Sequence, residues 1–276
     1  MSPTTASRAS VAEALQGASG ALAAAGIDTA RLDAELLLCQ ATGWRRTRLA
    51  TKPEAELPEG AGREFAALVR RRVRREPVAY ITGRCSFRHL DLAADRRALV
   101  PRPETELLVE VALELEPSRV LDVGTGCGAI ALAIADELPG CEVIGTDTST
   151  EALSLARENA GRLKLAGRVG FHAGMLPPEE EFDLLVANLP YVRDGDWDGL
   201  APEIRDYEPR SALVGGSDGL DAIRSLLDSG PDTEAIALEV GEGQAAAVAA
   251  LVADAGFATV GTRRDLAGIE RVVIGR

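Results

Sequence analysis

From residue 119 onward, short apolar runs recur at regular intervals: RVLDVG, CEVIGTD, RVGFHAG, FDLLVAN, AIALEVG, FATVGT and RVVIG follow one another in that order. Runs of this length, mostly apolar and most of them closed by Gly or Asp, read as strands. The intervening sequence predicts helices after PRPETE, from about Ala129, from about Thr150, around 219–228 and around 243–254. Strands alternating with helices leave few solutions. The expected fold is an open, mostly parallel seven-stranded sheet, doubly wound with helices on both faces.

The first 75 residues have a different pattern. SVAEALQGASGALAAAG carries apolar residues at helical spacing with Ser10 as a candidate cap. DTARLDAELLLCQATG starts at Asp28 and Thr29, also candidate caps, and stops at Gly43. EGAGREFAALVRRRVRRE reads as a third helix, closed by Pro77. A small helical bundle is therefore expected over 1–75. Residues 76–100, with Tyr80, Ile81, Thr82, Phe87 and Leu92 broken by Gly83, read as a β-hairpin connector. The α/β part occupies 101–276.

Charge separates the same two parts. Residues 1–75 hold 12 Lys and Arg against 8 Asp and Glu, a balance of +4, so that the remainder carries −17 of the net −13. An acidic larger part repels polyphosphate, which argues against a nucleic-acid substrate. The opening MSPTTASRASVAEAL has no apolar signal-peptide core, and no uncharged run reaches the ~18 residues a membrane helix needs. A cytoplasmic protein without membrane contact is expected. Cys39, Cys85, Cys127 and Cys141 form no C-x-x-C pair, so neither a zinc site nor a disulfide framework is suggested. The expectation is of no metal. His89 and His172 lie outside every motif.

The first strand runs into Gly124, Thr125, Gly126, Cys127 and Gly128, where glycines permit a tight turn and the following helix offers free N–H groups. The second strand ends at Asp147, about 20 residues on, where a carboxylate can accept hydrogen bonds from ribose hydroxyls. Together these point to an adenosine-containing cofactor without choosing between NAD and S-adenosylmethionine. Asn188, Leu189, Pro190 and Tyr191, at the end of the fourth strand, make the choice. That strand is expected beside the first, so the turn and the tetrapeptide open into one crevice. An Asn side-chain oxygen, and a backbone carbonyl made to project by a following proline, would hold an NH2 group between two acceptors. Tyr191 would offer a flat face to a planar acceptor group.

PVAYITG at 77–83, LVPRPETELLVE at 99–110, VLDVGTGCGAIALAIA at 120–135, ANLPYV at 187–192, YEPRSALVGGSDGLDAIRSLL at 207–227 and the terminal ERVVIGR together resemble the HemK/PrmC family over nearly the whole chain. These enzymes methylate the glutamine of the Gly-Gly-Gln motif in class I peptide chain release factors. The resemblance implies a Rossmann-like, S-adenosylmethionine-dependent methyltransferase domain that yields S-adenosylhomocysteine. It also implies a helical N-terminal domain that helps dock the release factor. A monomer is expected. The resemblance places Gly124, Thr125, Gly126, Cys127 and Gly128 around the methionine end of the cofactor, Asp147 at its ribose and Met175 near its adenine. Asn188 and the Leu189 carbonyl would hold the glutamine amide, Pro190 and Tyr191 would shape the pocket, and Arg102, Pro103 and Glu104 would line the approach. The family usually has proline where Leu189 stands, and an acidic residue where Gly174 stands.

Two other readings share these motifs. N-L-P-Y also occurs in ribosomal RNA adenine dimethyltransferases, against which stand the acidic C-terminal part and the PRPETE and YEPRSAL context. Leu189 and Gly174 motivate a catalytically inactive release-factor-binding or cofactor-sensing protein. A dehydrogenase would need a separate substrate domain with a proton-transfer residue. Finally, RRRVRR at 70–75 reads either as a solvated helix face or as a docking surface for the release factor.

Overall fold

Ser10 begins the first helix as its sequence suggests. Its Oγ accepts from the Glu13 N–H at 3.3 Å while Glu13 Oε2 accepts from the Ser10 N–H at 2.8 Å, satisfying two donors that the helix leaves free. The computed structural model describes residues 9–177 and 181–276, so the opening residues 1–8, read above for a signal peptide, lie outside the described residues. The chain folds as two compact units, one comprising the residues up to Gly83 together with Pro202–Tyr207, the other Arg84–Ala201 together with Glu208–Arg276. Among the described residues no helix is long and apolar enough to cross a membrane.

The first unit holds α1 (Val11–Ala24), α2 (Ala30–Thr42), α3 (Arg46–Thr51), α4 (Ala61–Val73) and α5 (Val78–Thr82). Leu15, Leu22, Leu37, Leu38 and Phe65 form its core with Ile81 of α5. Thr29 takes the cap position of α2, but its hydroxyl donates to Asp33 Oδ1 at 2.9 Å instead of capping. Asp33 is buried, and its other oxygen holds Arg72 at 2.6 Å. The segment expected to begin a hairpin at Pro77 instead forms α5, with Ala79, Tyr80 and Ile81 buried and Gly83 ending it at φ 70°.

The arginine run resolves into side chains with different roles, two of which share Glu203. Arg72 is only 6% exposed and joins Asp33 to Glu203, the latter at 2.9 Å. Arg75 reaches Glu203 at 2.6 Å and the Ala25 and Gly26 carbonyls, while Arg71 forms a two-pronged pair with Glu76. Only Arg70 and Arg74 of the five are exposed. The run is thus mostly internal glue of the helical unit, because a carboxylate buried at Asp33 requires a cation beside it.

In the second unit β1 (Arg84–Phe87) and β2 (Leu90–Ala93) form an antiparallel hairpin turning at Arg88 and His89. After α6 (Glu106–Leu115) come β3 (Arg119–Val123), α7 (Ala129–Glu137), β4 (Glu142–Asp147), α8 (Thr150–Arg162), β5 (Val169–Ala173) and β6 (Phe182–Ala187). Beyond α9 (Pro202–Arg205), which lies in the first unit, follow α10 (Asp221–Asp228), β7 (Thr233–Glu239), α11 (Ala245–Asp254), β8 (Val260–Arg264) and β9 (Glu270–Gly275). The seven-stranded sheet has the order β5-β4-β3-β6-β7-β9-β8, parallel except for β9. Side chains alternate between its faces: Val120, Leu184 and Val186 pack with α6, α7 and α8, whereas Leu121, Leu185 and Ala187 pack with α10 and α11. Strand order reverses between β3 and β6, and the crevice lies at their carboxyl ends.

Candidate active site

β3 ends in a turn held from two sides. The Gly124 and Thr125 N–H groups both donate to the Thr146 carbonyl at 2.8 Å, and the Gly126 N–H donates to Asp147 Oδ2 at 2.9 Å. Beneath it Asp122, fully buried, accepts from the Thr125 hydroxyl at 2.6 Å and the Ala131 N–H at 3.1 Å. Burial pushes the Asp122 carboxyl up to about 7, and its Oδ1 has no hydrogen-bond partner among the described residues. Gly124 has φ 73°, and a Cβ there would sit 3.1 Å from Leu189 Cδ2. The Leu189 side chain, 7% exposed, therefore lies directly on the turn.

The turn opens on a cavity of about 260 Å³ lined, among others, by Gly124, Thr125, Gly126, Cys127, Asp147, Met175, Asn188, Leu189 and Pro190. These nine are the larger part of the residues expected at the site. Asp147 accepts from the Ser149 N–H as well as from Gly126, and each carboxylate oxygen retains a second lone pair. Asn188 donates from Nδ2 to Thr105 Oγ1 at 3.1 Å, which fixes the amide with Oδ1 as its remaining polar end. Neither that oxygen nor the Leu189 carbonyl accepts a hydrogen bond from the described residues.

The other expected residues are not among those that line the cavity. Gly128 caps α7. Arg102 pairs with Glu208 at 2.6 Å, joining PRPETE to YEPRSAL, while Pro103 and Glu104 form the short 3-10 turn Pro103–Thr105 that presents Thr105. Tyr191 directs its hydroxyl to Glu239 Oε1 at 3.3 Å, and burial pushes that hydroxyl up to about 12, so it stays a donor.

Sequence reading missed several residues that hold the tetrapeptide in place. Gln244 donates to the Tyr191 carbonyl at 3.0 Å and accepts from the Gly241 N–H at 2.9 Å. The Val192 N–H donates to the Leu213 carbonyl and the Gly215 N–H to the Val192 carbonyl, so LVGG runs alongside LPYV. Thr105 and Glu239 were missed as well, although Glu239 left a signal. The pairings Val123↔Thr146, Val123↔Ala187 and Ala187↔Leu238 put the next residues, Gly124, Asp147, Asn188 and Glu239, in one row across four strands.

Known proteins agree with this architecture. The PrmC N-terminal domain family matches residues 13–83, and the methyltransferase small domain family matches residues 103–202. A release factor glutamine methyltransferase of Geobacter sulfurreducens is 42% identical over 270 residues, covering 93% of each chain. Another, of Cereibacter sphaeroides, is 40% identical over 271 residues, covering 96% of this chain and 98% of its own. This chain belongs to the release factor glutamine methyltransferase family. The fold of this methyltransferase also matches the crystal structure of a methyltransferase from Pyrococcus furiosus, with TM-score 0.53 and 18% identity over 69% of this chain and 90% of the other.

Proposed function

We infer that this methyltransferase transfers a methyl group from S-adenosylmethionine to the side-chain amide nitrogen of the Gly-Gly-Gln glutamine in class I release factors. What carries the reading, beside family membership, is a pair of unengaged acceptors, Asn188 Oδ1 and the Leu189 carbonyl, on a cavity shared with the glycine turn and Asp147. The cavity suits the cofactor: Gly124, at φ 73°, lets the turn approach closely, Asp147 would accept from ribose hydroxyls, and Met175 and Ala152 would give an apolar wall for a base. When bound, the cofactor supplies an electrophilic methyl on a sulfonium.

The protein's part is orientation. Thr105 takes one N–H of Asn188, so Oδ1 accepts one N–H of the substrate amide while the Leu189 carbonyl accepts the other. Pro190 biases Leu189 toward extended geometry, which projects that carbonyl. With both hydrogens held, the amide nitrogen would be turned toward the methyl of a bound cofactor. Transfer would give the methylated amide and S-adenosylhomocysteine, and the proton that the nitrogen loses would pass to solvent water, since neither acceptor is a base. Both acceptors strengthen their hold as positive charge develops on nitrogen, stabilising the transition state more than the bound amide. An amide is a weak nucleophile, so near-attack positioning supplies much of the rate. Leucine in place of the family's proline keeps the carbonyl and adds a side chain that covers Gly124.

Incubating the protein and S-adenosylmethionine with purified release factor, a Gly-Gly-Gln peptide and ribosomal RNA, followed by mass spectrometry, tests the reading. One added methyl on the glutamine, lost in Asn188→Ala, is the expected result. Methyl on RNA adenine instead, or cofactor binding without turnover, would refute it.

A further inference from the structure

Glu239 ends β7 in the row that holds Asn188, and is 2% exposed. A carboxylate buried this deeply is retained only against a considerable desolvation cost. Its surroundings connect it to the tetrapeptide twice. The Tyr191 hydroxyl donates to Oε1 at 3.3 Å. The Thr105 hydroxyl is near enough to pull the carboxyl's pKa down, Glu239 Oε2 is buried with no hydrogen-bond partner among the described residues, and Thr105 Oγ1 is the atom that accepts from Asn188 Nδ2.

A hydroxyl has a single hydrogen. While Glu239 is ionised it can only accept, so the Thr105 hydrogen turns toward it and the Thr105 lone pairs remain for the Asn188 NH2. Asn188 Oδ1 then faces the cavity. Once Glu239 carries a proton it can donate to Thr105 instead, freeing the Thr105 hydrogen for a turned Asn188 amide. The end of Asn188 facing the substrate NH2 would then be a donor, and the two would repel.

We propose that Glu239 is a positioning residue which, through the Thr105 hydroxyl, sets which end of the Asn188 amide faces the substrate. The inference rests on the role given above to Asn188. Burial pushes the Glu239 carboxyl up to about 7, with the Thr105 and Tyr191 hydroxyls pulling it down; Glu104 raises it further and Arg271, itself held by Asp265 at 3.0 Å, lowers it. Arg102 also acts on Tyr191. The competent orientation is therefore gained as pH rises through about 7.

The test uses the whole chain labelled with 15N-asparagine, since the sequence contains only Asn159 and Asn188. In the wild type the Asn188 side-chain NH2 signals should move with a midpoint near pH 7, those of buried Asn159 should stay still, and Glu239→Gln should abolish the movement. In methyl-transfer assays Glu239→Gln and Thr105→Val should lower kcat at least 10-fold with cofactor Kd changed less than 2-fold. The rising limb near pH 7 should vanish in Glu239→Gln, and Thr105→Ser should recover most of the rate. Asn188 signals that ignore pH, or a Glu239→Gln variant with wild-type kcat and pH profile, would overturn the inference. If Glu239→Gln does not fold, the Thr105→Val and Thr105→Ser pair decides by the same kinetics. The NMR titration needs no turnover, so a wild type inactive on release factor would refute the function while leaving Glu239 testable.

Discussion

Replacing Gly219 by alanine should damage the site without touching the cavity. Gly219 has φ 82°, and a Cβ there would run into the Tyr191 carbonyl and lie 2.7 Å from Gln244 Nε2. An alanine in left-handed geometry costs about 1–2 kcal/mol. Parting Gln244 from the Tyr191 carbonyl, a hydrogen bond of 3.0 Å around a buried amide, adds about 1–3 kcal/mol. A total near 3 kcal/mol should lower Tm by roughly 6–12 °C, at about 2–4 °C per kcal/mol for a unit of this size. Tyr191 lies two residues after the Leu189 carbonyl, and a displacement of about 1 Å there costs on the order of 100-fold in rate. Calorimetry, methyl transfer to release factor and cofactor titration should show lower Tm, lower kcat and an unchanged cofactor Kd. Gly195→Ala is the control, because no atom lies within 4 Å of its Cβ position and its φ is ordinary. It should be neutral, or more stable by up to about 1 kcal/mol. Equal Tm and kcat for Gly219→Ala and the wild type, or equal losses in both variants, would refute the argument.

Leu189→Ala empties the space over Gly124 and should cost about 2–3 kcal/mol, with weaker cofactor binding measured by calorimetric titration. Arg72→Ala leaves buried Asp33 without its cation, and Glu203 with Arg75 alone, and should destabilise the helical unit by about 3–5 kcal/mol in guanidinium unfolding. Asp122, pushed by burial from 3.8 to about 7, lends stability below about pH 4 that is lost as pH rises through about 7. Asp122→Asn should therefore gain on the wild type by a few kcal/mol between pH 4 and 8; a pH-independent difference between the two unfolding curves would contradict the buried charge.

The elements read most easily were those whose signal is local. Ser10 and Glu13 form a box within four residues, and the central strands β3, β6 and β7 of the large sheet are largely apolar, buried runs, unlike the edge strand β8 with its sequence VGTRR. α3 and α5, of six and five residues, are too short to show a helical period. The arginine run was ambiguous for the opposite reason, since the partners of Arg72 stand 39 and 131 positions away. At the site, the glycine turn and N-L-P-Y were legible because each requires unusual backbone, and only a few residue types supply it. Tyr191 was given a face toward the substrate, whereas its hydroxyl is engaged by Glu239, which the local sequence could not reveal.

The row formed by Gly124, Asp147, Asn188 and Glu239 explains why the missed residue belongs with the ones that were found. Parallel strands in register present equivalent positions side by side, so the carboxyl ends of four neighbours face one crevice. Two of those positions are cavity walls, a glycine that opens the turn and a carboxylate suited to ribose. The third, Asn188, needs one end of a nearly symmetric amide selected. Thr105, on the cavity wall, holds that amide, and a group that biases the Thr105 hydroxyl without competing for the substrate must stand behind it, in the next strand of the same row. Glu239 occupies that place, and the desolvation that raises its pKa follows from standing behind the site instead of in it.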